Sequence, residues 1–68
     1  MEIREIFARN LRRARQAQGL SQEDLAHKAE IDRTYVSSLE RGIYSPTIEV
    51  VERLAIALGI ETADLIRR

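Results

Sequence analysis

Two residues suited to starting helices, Ser21 and Asp32, stand eleven positions apart near the middle of the chain, and the residues between them must form a helix and still turn a corner. Ser21 can accept a hydrogen bond from a free backbone N–H, and Asp24, three residues on, can return it, which makes an S-x-x-D capping box. A helix therefore starts at about Gln22. Leu25, Ala26 and Ala29 lie on one narrow face of it, while Gln22, Glu23, His27 and Lys28 point elsewhere. Asp32 caps the next helix, so only Glu30 and Ile31 are left for the corner. Two helices this close in sequence must cross steeply. In the second, Val36 and Leu39, flanked by Ile31 and Ile43, form the apolar stripe, and Arg33, Thr34, Ser37, Ser38 and Arg41 lie opposite. That outer face carries donors, acceptors and positive charge, but no acid.

The remaining segments read as support for this pair. Residues 2 to 18 form the first helix, with Ile3, Phe7, Leu11 and Ala14 on its apolar face, acids early and arginines late as the helix dipole prefers, and Gly19 at its end. After Arg41, Gly42 stops the third helix, Ile43 to Pro46 form a loop, and Thr47 caps a fourth helix that runs to about Leu58. Ile48, Val51, Leu54, Ala55 and Leu58 recur in it at helical spacing, as in a core helix. Gly59 and Ile60 turn the chain into a short fifth helix from about Thr62, which carries Leu65 inward. Glu61 is a poor cap, so the start of this helix is expected to be frayed or shifted to Thr62. The expected fold is all-α, a compact five-helix bundle, with residues 1–68 forming one domain near the lower size limit for independent folding. No repeat or low-complexity segment interrupts it.

The chain has no cysteine, which excludes disulfide staples and thiolate zinc sites. No apolar run approaches the ~20 residues needed to span a bilayer, and no signal-peptide core is present, so a cytoplasmic protein without a membrane partner is expected. Eleven Lys and Arg balance eleven Asp and Glu. A neutral total weakens the usual electrostatic argument for a polyanion partner, but the charges are uneven. Arg4, Arg9, Arg12, Arg13 and Arg15 crowd the first segment, whereas Glu49, Glu52, Glu61 and Asp64 come late. A solvated helix face is one reading of Arg4, Arg9 and Arg13, and a basic face hidden by the neutral total is the other. An enzyme would have to use the single imidazole, His27, together with Ser21 and Asp24. That spacing is better explained by the capping box, and one short exposed helix offers neither an oxyanion pocket nor exclusion of water. No catalysis, metal, cofactor or small-molecule ligand is expected.

The segment Leu20-Ser21-Gln22, the small Ala26 at the helix crossing, the apolar Leu25, Ala29, Ile31, Val36 and Leu39, and the exit Leu39-Glu40-Arg41-Gly42 together resemble the helix-turn-helix of the Cro and phage-repressor type, the XRE family. The likeness runs from about Phe7 to Ile66 and includes Ala57-Leu58-Gly59-Ile60. One position departs from the pattern: Glu30 stands where the family usually has glycine, since the turn residue takes a positive φ, and a Cβ there costs roughly 1 kcal/mol. The resemblance implies that Arg15 pairs with Glu40, a structural salt bridge between the first helix and the third. It also implies a lambda-repressor-like DNA-binding domain with a recognition helix at about 33–41.

On that reading the third helix enters the major groove, with Arg33, Thr34, Ser37 and Ser38 at base edges. Phosphate contacts are expected from Gln22, at a helix N-terminus favourable to anions, and from Tyr35, Arg41, Tyr44 and Ser45 across the groove. The partner would be double-stranded DNA carrying a palindromic operator, bound by a homodimer. Ile66 has no obvious core partner, so Ile60, Thr62, Ala63 and Ile66 form the candidate dimer surface. The expected function is a small bacterial or phage transcriptional regulator, a repressor or autoregulator. The alternative is a protein-interaction module of the same fold, such as a toxin-neutralising antitoxin.

Overall fold

The computed structural model describes residues 2–68, and among these the regular elements are five helices: α1 (Ile3–Ala17), α2 (Gln22–Ala29), α3 (Arg33–Glu40), α4 (Ile48–Leu58) and α5 (Thr62–Ile66). Each begins where a side chain can satisfy free N–H groups. The Ser21 hydroxyl accepts from the Asp24 N–H at 2.9 Å, and the Asp24 carboxylate accepts from the Ser21 N–H at 3.0 Å. Asp32 Oδ1 accepts from the Thr34 N–H at 2.7 Å, and Thr47 Oγ1 from the Val50 N–H at 3.2 Å. The fifth helix begins at Thr62 as expected, but Glu61 is its cap rather than a frayed start. Asp64 Oδ2 accepts the Glu61 N–H at 3.0 Å. An acid three residues on thus holds the helix start in place.

The corner between α2 and α3 is tight because Glu30 adopts the left-handed conformation, at φ +59°. This lets the Ile31 N–H reach back to the Ala26 carbonyl at 2.9 Å, and it returns the Ile31 side chain to the core edge. A non-glycine residue held there stores about 1 kcal/mol of strain.

The core is made of Phe7 and Leu11 from α1, Leu25, Ala26 and Ala29 from α2, Val36 and Leu39 from α3, Val51, Leu54, Ala55 and Leu58 from α4, and Leu65 from α5. Ala26 is buried, and a larger side chain there would overpack the core at a cost of about 1–3 kcal/mol. Three expected core positions lie outside: Ile43 is 45% exposed, because it follows Gly42 beyond the end of α3, and two more stand at helix starts. Ile3 is 53% exposed and Ile48 is 83% exposed, because each is the first residue of its helix and projects beyond the neighbouring elements. Ile6, absent from the expected stripe, is buried instead. The reason is that α1 packs against both α3 and α5, which widens its buried face.

Candidate nucleic-acid interface

The orientation of α3 is set by a carboxylate at its last residue. The Glu40 side chain is 0% exposed, and Arg15 Nε donates to its Oε2 at 2.6 Å while Arg15 Nη2 donates to its Oε1 at 2.9 Å. The third donor of the fork, Nη1, reaches the Leu20 carbonyl at 2.9 Å, so one guanidinium ties α1, the α1–α2 loop and the end of α3 together. This hydrogen bonding to Glu40 raises the Arg15 pKa, against the opposing effect of its own partial burial. Bidentate charge-assisted pairing is what allows a carboxylate to sit at that depth.

Two further groups converge on the same carboxylate. Gln22 Nε2 donates to Glu40 Oε1 at 3.1 Å, and Arg12 Nε lies 3.7 Å from that oxygen, with Arg12 Nη2 3.4 Å from the Glu40 carbonyl. Gln22 therefore does not simply project into solvent. Its amide carries two N–H bonds and one acceptor oxygen, so a donor and the oxygen remain after the contact with Glu40. Sequence reasoning assigned Arg12 no individual part. Its only signal was its place three residues before Arg15, one turn back on the same helix.

The outer side of α3 is open. Arg33 and Thr34 are exposed in its first turn, Ser37 and Ser38 are half-buried one turn on, and Arg41 is exposed at the C-cap. Tyr35 is half-buried against the core, whereas Tyr44 and Ser45 are exposed in the following loop. Gly42, at φ +72°, permits the close of α3, where the Ile43 N–H bonds the Ser38 carbonyl at 3.1 Å. The loop residues consequently leave on the same end of α3 as Arg41.

The candidate dimer residues form a mixed group. Ile66 is 44% exposed and Ala63 is exposed, but Ile60 and Thr62 are half-buried, with Ile60 packed on the core. Ile66 also borders an apolar groove with Ile3, Phe7, Pro46 and Val51. Other polar side chains act locally. Asn10 Nδ2 donates to the Leu65 carbonyl at 3.1 Å and to the Arg67 carbonyl at 2.7 Å, and the Gln18 amide donates to the Leu58 carbonyl. These ties hold the ends of α4 and α5 to α1, and no sequence pattern announced them. Among the described residues no cluster of His, Cys, Asp or Glu could hold a metal ion, and no helix is long and apolar enough to cross a membrane. Ser21 and Asp24 are engaged with each other's backbone, and His27 is exposed.

The helix-turn-helix family model matches residues 11–65, from the middle of α1 to α5. The chain belongs to the helix-turn-helix family. It is 38% identical over 65 residues to a hypothetical transcription factor of Neisseria meningitidis serogroup B, across 96% of this chain and 61% of that protein. It is 40% identical over 68 residues to the control protein C.SmaI of Serratia marcescens, across 100% of this chain and 81% of that protein. Among solved structures, the restriction-modification controller protein C.Esp1396I, a tetramer in complex with its natural 35 base-pair operator, has a TM-score of 0.88 at 29% identity, covering 96% of this chain and 86% of that one. Family members named as transcription regulators and control proteins do not favour the interaction-module alternative.

Proposed function

We propose that this chain is a sequence-specific double-stranded-DNA-binding transcriptional regulator, a repressor or autoregulator, with α3 as the helix that enters the major groove. One observation carries the reading: an acid-free polar face on α3 whose first turn is exposed while its last residue is anchored in the core. A helix held rigidly at one end and open at the other can present Arg33, Thr34, Ser37 and Ser38 to base edges in a fixed pose. Gln22, Tyr35, Arg41, Tyr44 and Ser45 flank that face as phosphate contacts. The chain acts without catalysis, in the cytoplasm where its DNA lies, as a single domain.

A single reading helix spans few base pairs, so the protein binds a palindrome as a symmetric homodimer through Ile60, Thr62, Ala63 and Ile66, with half-sites about 34 Å apart. The test is a gel shift against a random-sequence duplex pool with enrichment of the bound fraction. A palindromic consensus is expected, bound more tightly than either isolated half-site. Ile66→Glu should keep the fold and lose the cooperativity. No enrichment over repeated rounds would reject the DNA-binding reading, and equal affinity for half-site and palindrome would reject the dimer.

A further inference from the structure

Beside the exit of α3 lies a basic groove of which the reading face uses only Arg41. Arg9, Arg12, Arg13 and Gln16 repeat on α1 at i, i+3, i+4 and i+7, so they form one lengthwise stripe, and with Arg41 they line a groove between α1 and the end of α3. The carboxylates on its walls only partly offset it: Glu40 is already matched by Arg15 through two hydrogen bonds, which leaves the single exposed carboxylate of Glu5 against four guanidinium groups. Four guanidinium groups therefore share one short stretch of surface in a chain whose formal net charge is zero. Like charges at this spacing oppose helix formation, and folding brings Arg41 to the same groove. Such an arrangement is relieved by a polyanion.

Arg12 connects the stripe to the reading face. Its Nε and the Gln22 amide nitrogen lie 3.7 Å and 3.1 Å from the same Glu40 oxygen, and the Arg12 side chain remains half exposed. An anion held by the free donor of Gln22 therefore comes within reach of the rest of the Arg12 fork. Arg9 and Arg13 stand about 6 Å apart along the helix axis, which gives the stripe room for more than one anion.

We infer that this stripe is a second phosphate-binding surface, in which Arg12 shares a DNA backbone phosphate with Gln22, and Arg13 and Arg41 hold neighbouring phosphates, so that α1 lengthens the footprint beyond the helix pair. The inference rests on the reading of the chain as a double-stranded-DNA binder. It is tested by the salt dependence of affinity of the full chain for the enriched duplex and for a scrambled duplex of equal length. Each phosphate neutralised contributes about 0.9 to the slope of log K against log salt. The Arg12→Gln, Arg13→Gln double variant should show a slope shallower by about 2 on both duplexes, with base preference unchanged. Because Arg12 also touches Glu40, Arg13→Gln alone serves as the variant whose exposed side chain leaves the fold intact; its slope should fall by about 1, and Arg13→Lys should restore it. Unchanged slopes in both variants, or losses confined to the enriched sequence, overturn the phosphate role of α1 while leaving the DNA-binding reading in place. A wild-type protein that binds neither duplex overturns both.

Discussion

At its C-terminal end α3 is gripped by three side chains from two helices, Arg12 and Arg15 of α1 and Gln22 of α2, whereas at its N-terminal end it is held by the local Asp32 cap, the strained corner at Glu30 and the packing of Tyr35. The first end is buried and charged, and the second is exposed and polar. Rigidity and recognition are thereby separated along a helix of eight residues, since the tie at Glu40 sets the pose and the residues around Arg33 are free to meet a partner. The difference predicts that substitutions at the two ends fail in different assays: those at Glu40 in stability, those at Arg33 in sequence preference.

The largest expected effect is at the anchored end. Arg15→Ala and Glu40→Ala should each destabilise the fold by about 3–5 kcal/mol, because either leaves a buried or partly buried charge without its partner. The double variant should lose less than the sum of the two. Urea denaturation checks both points, and additive losses would mean that the anchor is not the Arg15–Glu40 pair.

At the open end Arg33→Ala should leave stability within about 0.5 kcal/mol of the parent and reduce affinity for the preferred site by about 1–3 kcal/mol, with relaxed preference at one base position. Gln22→Ala is expected to weaken preferred and scrambled duplexes alike, since a phosphate contact carries no sequence information. Identical profiles for the two variants across a set of duplexes would erase the division between reading and positioning.

A smaller change of opposite sign is expected at the corner. Glu30→Gly relieves the left-handed strain, and the contact that it gives up with Arg53, at 3.7 Å, is an exposed one. The net gain should be roughly 1 kcal/mol, or a rise of about 4–8 °C in Tm for a domain of this size. A loss of stability would show that the Glu30 side chain contributes more than its conformation costs.

The smallest effect concerns acid. The Ser21 backbone N–H, and then its hydroxyl, hold the Asp24 carboxyl below the usual carboxylate range. Its folded pKa thus lies below its unfolded one, so the stability it contributes is complete above about pH 4 and is lost as pH falls through the folded value. Asp24→Asn should flatten the acid limb of the stability curve while leaving the α3 anchor unaffected. An unchanged limb would place the acid sensitivity elsewhere.

Helix starts and stops were legible in the sequence because they depend on neighbours in the chain. Ser21 with Asp24, Asp32 and Thr47 announce their helices through bonds that span two or three residues, and the glycines Gly19, Gly42 and Gly59 mark ends by local backbone freedom. Family likeness supplied the expectation of an Arg15–Glu40 pair, which spacing alone does not contain. Tertiary packing decided the rest. Whether an isoleucine is core depends on what lies over it, so Ile6 and Ile3 exchange the places that periodicity assigned them, and Ile48 stands in solvent. The convergence of Gln22 and Arg12 on Glu40 joins residues 18 and 28 positions distant, and the arginine stripe of α1 becomes one wall of a groove only when Arg41 is folded against it. A sequence records which side chains can bond; the folded chain determines which come close enough to do so, because hydrogen bonds and short-range electrostatics act over a few ångströms and not along the chain.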